Sequence, residues 1–124
     1  MVVSINIKGV PQVHIALKSA NVKVNLAADA AIKQSGFFIQ DEVVQSIAGQ
    51  RAEHMSVDTG RFKNSVEATS PQKLVVKVES NVEYAKFLEF GTSKFAGRSH
   101  FRNTAKRNEK KVRSFVMKKI DAVL

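Results

Sequence analysis

The chain contains no cysteine. That excludes a disulfide framework and a thiolate metal site, and it is compatible with a reducing place of folding. The three histidines, His14, His54 and His100, are far apart and lack helical ligand spacing, so no metal site is expected. No apolar run approaches the ~20 residues that a membrane span needs. The opening MVVSINIKGV has no basic stretch followed by an apolar one, so it does not read as a signal peptide. Gly-x-Gly-x-x-Gly and phosphate-loop patterns are missing, and no serine, histidine and aspartate set suggests a nucleophile by spacing. No enzymatic activity, cofactor or small-molecule substrate is expected.

What remains is 124 residues with 44% apolar content, which argues for one domain, residues 1–124, able to bury a modest core. The net charge is +9, and its placement is informative. Between Lys94 and Lys119 stand ten lysines and arginines against one acid, Glu109, so that segment alone carries +9. The other residues balance to zero. Such asymmetry points to a polyanionic neighbour, or to a surface neutralised within an assembly.

Val3, Ile5 and Ile7 alternate with polar residues and predict a short strand. Pro11 suits the first turn of a helix. Val10, Val13 and Leu17 then recur at helical spacing, which predicts a short N-terminal helix up to Asn21. Residues 22–49 read as one long helix closed by Gly49. Its apolar positions form two stripes. Leu26, Ala30, Phe37, Val44 and Ala48 make a narrow one; Ala28, Ala31, Ile32, Phe38, Ile39 and Val43 make a broader one. A surface helix needs only one stripe, so this helix is expected to pack on two sides, against its own sheet and against either more core or a neighbouring subunit. Gly36 inside it implies close packing or a kink. Residues 50–60 form a polar loop. Residues 65–69 and 74–80 predict a β-hairpin whose longer loop carries Pro71. From Asn103 onward, Ala105, Val112, Val116, Ile120 and Val123 trace one helix face, and the basic residues cover the rest. The fold class is therefore α+β: a small antiparallel sheet on one long helix, with a short N-terminal helix and a basic C-terminal helix.

Two stretches stand out. VDTGRF (57–62) has good turn chemistry: Asp58 and Thr59 can bond their own backbone, and Gly60 can take positive φ. Asp-Thr-Gly also surrounds the aspartate of aspartic proteases. That chemistry needs paired carboxylates, which this chain could supply only as a symmetric dimer, and the apolar run expected before the motif is absent. A turn leading into a strand, with Arg61 pairing a nearby acid, is the favoured reading. The second stretch, EYAKFLEFGTSKFAGRSHF (83–101), runs from an amphipathic helical knot into a basic loop. Tyr84, Phe87, Leu88 and Phe90 follow helical spacing and Gly91 closes the turn. Glu89 would need a partner if buried, and Arg61 is the candidate. The basic C-terminal helix could neutralise phosphates without reading sequence: Lys94, Arg98, Lys106, Arg107, Lys110, Lys111 and Arg113 are the DNA-proximal candidates. The alternative is a solvated helix face.

VDTGRFKNSV (57–66), VEYAKFLEFGTSK (82–94) and GRSHFRNTAKRN (97–108), in this order, resemble the tailed-bacteriophage neck or tail-completion family of head–tail joining proteins and tail components. The order of elements matches over nearly the whole chain. The third segment departs from the family, having Ser99-His100-Phe101-Arg102-Asn103 where a Pro-Phe-Leu-Arg-Pro-like stretch is usual. The resemblance implies Asp58, Thr59, Gly60, Arg61, Tyr84, Glu89, Phe90, Gly91 and Thr92 as motif residues. It also implies a structural virion protein at the neck or tail, made in the host cytoplasm. Such a protein would form a homo-oligomeric ring around the DNA passage, and a hexamer would fit the symmetry of a tail. Its neighbours would be head-closure and tail-terminator proteins, with non-specific contact to packaged double-stranded DNA and none to membrane. Phe95, Phe101 and Arg102 would then anchor an adjacent subunit from an arm after Thr92. Two other readings stand beside it: a sequence-independent DNA-binding module, and the tail-tube terminator at the same junction.

Overall fold

The computed structural model describes residues 2–7, 11–18, 22–56, 60–94 and 96–123. Two strands open the chain, β1 (Val2–Ile7) and β2 (Gln12–Lys18), followed by the long helix α1 (Val22–Ile47). A short helix α2 (Arg61–Ser65) precedes the hairpin β3 (Glu67–Gln72) and β4 (Val75–Glu79). Helices α3 (Ala85–Phe90) and α4 (His100–Asp121) complete the order. The strands form one antiparallel sheet, β1-β2-β4-β3. Helix α1 lies across β2, β4 and β3; α4 lies beside α1 and over β1 and β2. Both helices cover one face of the sheet, as the α+β reading expected.

The predicted N-terminal helix is instead strand β2, a central strand of the sheet. Val13, Ile15 and Leu17 point into the core, while Gln12, His14 and Ala16 face the other way. Val13 and Leu17 fit a helical as well as a two-residue period. Ile15 fits only the latter, and pairing with β1 on one side and β4 on the other decides the outcome. The hairpin loop also differs from its expectation. Strand β3 runs through Pro71 to Gln72, with a break in register after Thr69, and the turn is Lys73–Leu74. Proline is tolerated there because β3 is an edge strand. Leu74 sits at φ 63, held by an Asp29 carboxylate of α1 that accepts its N–H at 2.9 Å.

Helix α1 shows why two stripes were legible. The broad stripe is the buried one: Ala28, Ala31, Ile32, Ile39 and Val43 lie against the sheet and α4, with Phe38 partly covered. The narrow stripe faces outward, with Leu26 85% and Phe37 63% exposed. Gly36 marks close approach. A Cβ there would stand 2.5 Å from Val76 Cγ2 and 2.9 Å from Cγ1. Alanine is about 1 kcal/mol better than glycine in a helix interior, but forcing extra volume into a packed contact costs about 1–3 kcal/mol. Gly36→Ala is therefore expected to lower stability by about 1 kcal/mol in urea titration, the packing cost outweighing the propensity gain. Combining it with Val76→Ala should not add the two losses. A stabilised Gly36→Ala variant would overturn the packing argument.

Candidate functional site

The motif segments converge on one end of the fold. Phe62 of α2 is 2% exposed and sits at their meeting point. Its ring contacts Tyr84 at 6.1 Å, His100 at 6.0 Å and Phe101 at 6.4 Å. Gly60 takes φ 83 immediately before α2, so the turn leads into a helix rather than a strand. Asp58 and Thr59 lie outside the described residues.

Arg61 pairs with Glu83, not with Glu89. Its two terminal nitrogens each donate at 2.9 Å to a different oxygen of Glu83, in an exposed bidentate pair, and the guanidinium lies 5.7 Å from the Tyr84 ring centre. Glu89 is fully buried and has a different task. Its two carboxylate oxygens accept the backbone N–H groups of Phe101 and Arg102, each at 2.8 Å. Those are among the donors that the first turn of α4 leaves without intrahelical partners. Ser99, at the cap position with φ 50, turns its hydroxyl to Glu89 O and not to the free N–H groups of the helix, so Glu89 caps α4 from α3. A negative charge also suits a helix N-terminus. Burial pushes the Glu89 carboxyl upward, and the two N–H donors and Arg102 oppose it. Glu89→Gln keeps the volume but turns one acceptor into a donor. Its expected cost is about 2 kcal/mol, read as a shift in urea midpoint. An unchanged midpoint would remove the capping role.

The segment after α3 is tied back to it. Arg98 N–H donates to Leu88 O at 2.6 Å and Ser99 N–H to Glu89 O at 3.1 Å. Gly91, at φ 85, bridges to Ala96, and Thr92 Oγ1 accepts the Lys94 N–H at 3.1 Å. Phe95 lies outside the described residues. Phe101 was expected on the interaction arm. It is the second residue of α4 and fully buried, so it is core and not an exposed anchor. Arg102 stacks over the partly exposed Phe90 at 5.3 Å.

Sequence reasoning missed a buried polar relay next to this knot. Ser46 Oγ donates to Glu53 Oε1 at 2.5 Å. Having one hydrogen, that hydroxyl must accept from His100 Nδ1, 2.8 Å away. His100 Nε2 then accepts from Ser56 Oγ at 2.7 Å, and Ser56 accepts from Arg98 Nη1 at 2.8 Å. At the far end Arg107 donates to both oxygens of Glu53, at 3.0 and 3.1 Å, and Asn103 donates at 3.2 Å. Burial pushes the His100 imidazole down to about 4, Glu53 pulling the other way. Burial pushes Glu53 up, but the bonds from Arg107, Ser46 and Asn103 and the Arg107 charge outweigh it and hold it at about 2. The relay therefore holds a neutral histidine and a carboxylate, and it fastens the 50–56 loop and α1 to the start of α4. Its serine, histidine and carboxylate superficially match a hydrolase. However, a serine hydroxyl intervenes between His100 and Glu53, and the Arg98 guanidinium occupies Ser56 Oγ. The one early sign was Ser46, a polar residue on the buried side of α1.

The basic candidates divide. Arg98 and Arg107 serve the relay. Arg113 pairs with Glu109 at 2.8 Å and donates to Val3 O. Lys111 lies 5.0 Å from the Phe38 ring centre. Lys94, Lys106 and Lys110 are exposed, as are Lys118 and Lys119. The outer side of α4 is thus a lysine surface, while several of its arginines are fastened inward.

A family model described as "Bacteriophage HK97-gp10, putative tail-component" matches residues 16–91. The match runs from the end of β2 through α1, α2 and the hairpin to α3, and so contains VDTGRFKNSV and the helical half of the knot. Searches of curated proteins and of solved structures returned no match.

Proposed function

Because the chain belongs to the HK97-gp10-like family of bacteriophage tail components, we propose that it joins or completes the tail at the head–tail neck, as one copy in a ring around the DNA passage. The observation that carries this reading is the division of charge on α4: arginines hold the fold together, and lysines face outward where a polyanion would lie. Lysines on an exposed helix neutralise phosphates without reading bases, which is what a passage for packaged DNA requires. Head-closure and tail-terminator proteins are the expected neighbours. The polar relay is structural in this reading, and the protein has no catalytic role.

The deciding experiment is electron microscopy of particles made with a nonsense codon early in the gene. Unjoined tails and DNA-filled heads, or joined but defective tails, support the junction. Normal infectious particles in normal yield overturn it. The same lysine surface favours a second reading, a sequence-independent DNA-binding module. That reading expects micromolar duplex binding by the isolated protein, weakening steeply with salt, and a shallower salt slope in Lys106→Glu/Lys110→Glu. The tail-tube terminator, at the same junction, is separated by copy number and position within particles.

A further inference from the structure

The relay uses only one side of the Arg98 guanidinium. Nη1 donates to Met55 O at 2.9 Å and to Ser56 Oγ at 2.8 Å. Among the described residues nothing accepts from its Nε–H or from its Nη2. A guanidinium holds its N–H donors in a rigid plane, and a pair of adjacent donors matches the two oxygens of a carboxylate. Here the Nε and Nη2 edge is the unused pair. The stem of the side chain is fixed as well. Arg98 N–H donates to Leu88 O at 2.6 Å, and the backbone before it runs so close to α3 that a Cβ on Gly97 would stand 2.5 Å from Glu89 O. The fork is therefore ordered before any ligand arrives, which lowers the entropic cost of binding.

Beside Arg98 lies a cleft of about 480 Å³ between the 50–56 loop and the 96–98 segment, lined also by Ala52, Glu53, His54, Ala96 and Asn103. That volume is in the usual range for a ligand pocket. The Glu53 carboxylate in its wall is already satisfied: one oxygen accepts from Ser46 and Arg107, the other from Arg107 and Asn103. Its charge is offset by Arg107, so the positive charge left over at the cleft is that of Arg98. We propose that this cleft is a docking site for an acidic side chain, aspartate or glutamate, of a partner protein, with the carboxylate held bidentately by Nε and Nη2 of Arg98. The recess selects the source of the anion. Arg98 is partly buried against the 50–56 loop, whereas Lys106 and Lys110 stand exposed on α4. A duplex is a wide rod whose phosphates meet exposed lysines first, while a single carboxylate on its own stem reaches into a cleft. Glu53 in the wall also disfavours the dense charge of a phosphate backbone. The site is separate from the lysine surface, and it stands whether or not the chain sits at the neck.

The test follows the Arg98 Nε–H signal of the isotope-labelled full chain by NMR. The peptide acetyl-Gly-Glu-Gly-amide should move that signal saturably, with a Kd of roughly 1–10 mM for one carboxylate on one fork. Acetyl-Gly-Gln-Gly-amide should leave it in place. Arg98→Lys keeps the charge and a donor for Ser56 but loses the fork. It should weaken binding of the Glu peptide about tenfold, read at the Ala52 and Ala96 amides. Should that variant lose its fold, Ala52→Glu decides: a carboxylate at the rim of the cleft should weaken the Glu peptide about tenfold relative to Ala52→Gln. An equal response to the two peptides, no response up to about 50 mM, or equal affinity of the two Ala52 variants overturns the proposal. So does a short DNA duplex that moves the Arg98 signal where the Glu peptide does not, which would return Arg98 to the DNA-facing group.

Discussion

Phe101→Ser is expected to unfold the isolated protomer or bring it close to unfolding. The ring is fully buried between Phe62 and the core that α4 closes. Removing a buried phenylalanine down to alanine costs about 3–5 kcal/mol. Serine adds a hydroxyl with no obvious partner there, worth about 1–3 kcal/mol more. Domains of this size are stable by roughly 5–15 kcal/mol in total, so the loss takes most of the margin. Far-UV circular dichroism and a urea titration of the purified variant would read it directly. A folded variant with the wild-type midpoint and a selective assembly defect would return Phe101 to an interaction role. The arm proposal now rests on Phe95, for which Phe95→Ser should leave the midpoint unchanged.

The misplacement of Phe101 shows which physics a single sequence hides. A helix start is legible when the residue before it carries its own cap. Here Ser99 is in the left-handed region and caps nothing, while the cap comes from Glu89 across a folded-back loop. Without that contact in view, GRSHF reads as loop and the helix seems to begin at Asn103. The same hidden contact explains why Glu89 seemed to need Arg61. Its charge was correctly expected to need a partner, but backbone N–H groups carry no side-chain signal. Strand β2 was missed because its inward positions satisfy two periods at once, and only its neighbours choose between them. By contrast, α1, its terminal glycine, its two stripes and the close approach at Gly36 were legible, because a long helix repeats its pattern many times. The relay was opaque for the opposite reason. Ser46, Glu53, Ser56 and His100 come from a helix, a loop and a second helix, and no spacing joins them.

That relay carries the second large effect, a loss of stability in acid in two steps. His100 is neutral in the folded chain, with its basicity lowered to about 4, whereas the unfolded side chain titrates near 6.5. As pH falls from 6.5 toward 4 the unfolded chain takes up a proton that the folded chain refuses, so stability falls. Below 4 both forms are protonated and this loss stops growing. A shift of this size is worth about 3 kcal/mol for a fully buried group. Glu53 adds the second step. It is held at about 2 against 4.5 when unfolded, so its contribution is complete above 4.5 and disappears as pH falls toward 2. Glu89 runs the other way, because burial raises it and acid relieves that cost. The upper step is therefore the clean one. Urea midpoints at pH 7.5, 6.5, 5.5 and 4.5 should fall steadily for the wild-type chain below 6.5. The slope should approach but not exceed ~1.4 kcal/mol per pH unit for a single proton. His100→Gln loses stability at pH 7.5 by breaking the relay, and its midpoint should then change much less over the same range. Using the difference between the two curves cancels what the other histidines contribute. If the two curves stay parallel from 7.5 to 4.5, His100 is not held neutral by the relay, and the 50–56 loop is fastened to α4 by the bonds that Arg107 and Asn103 make to Glu53.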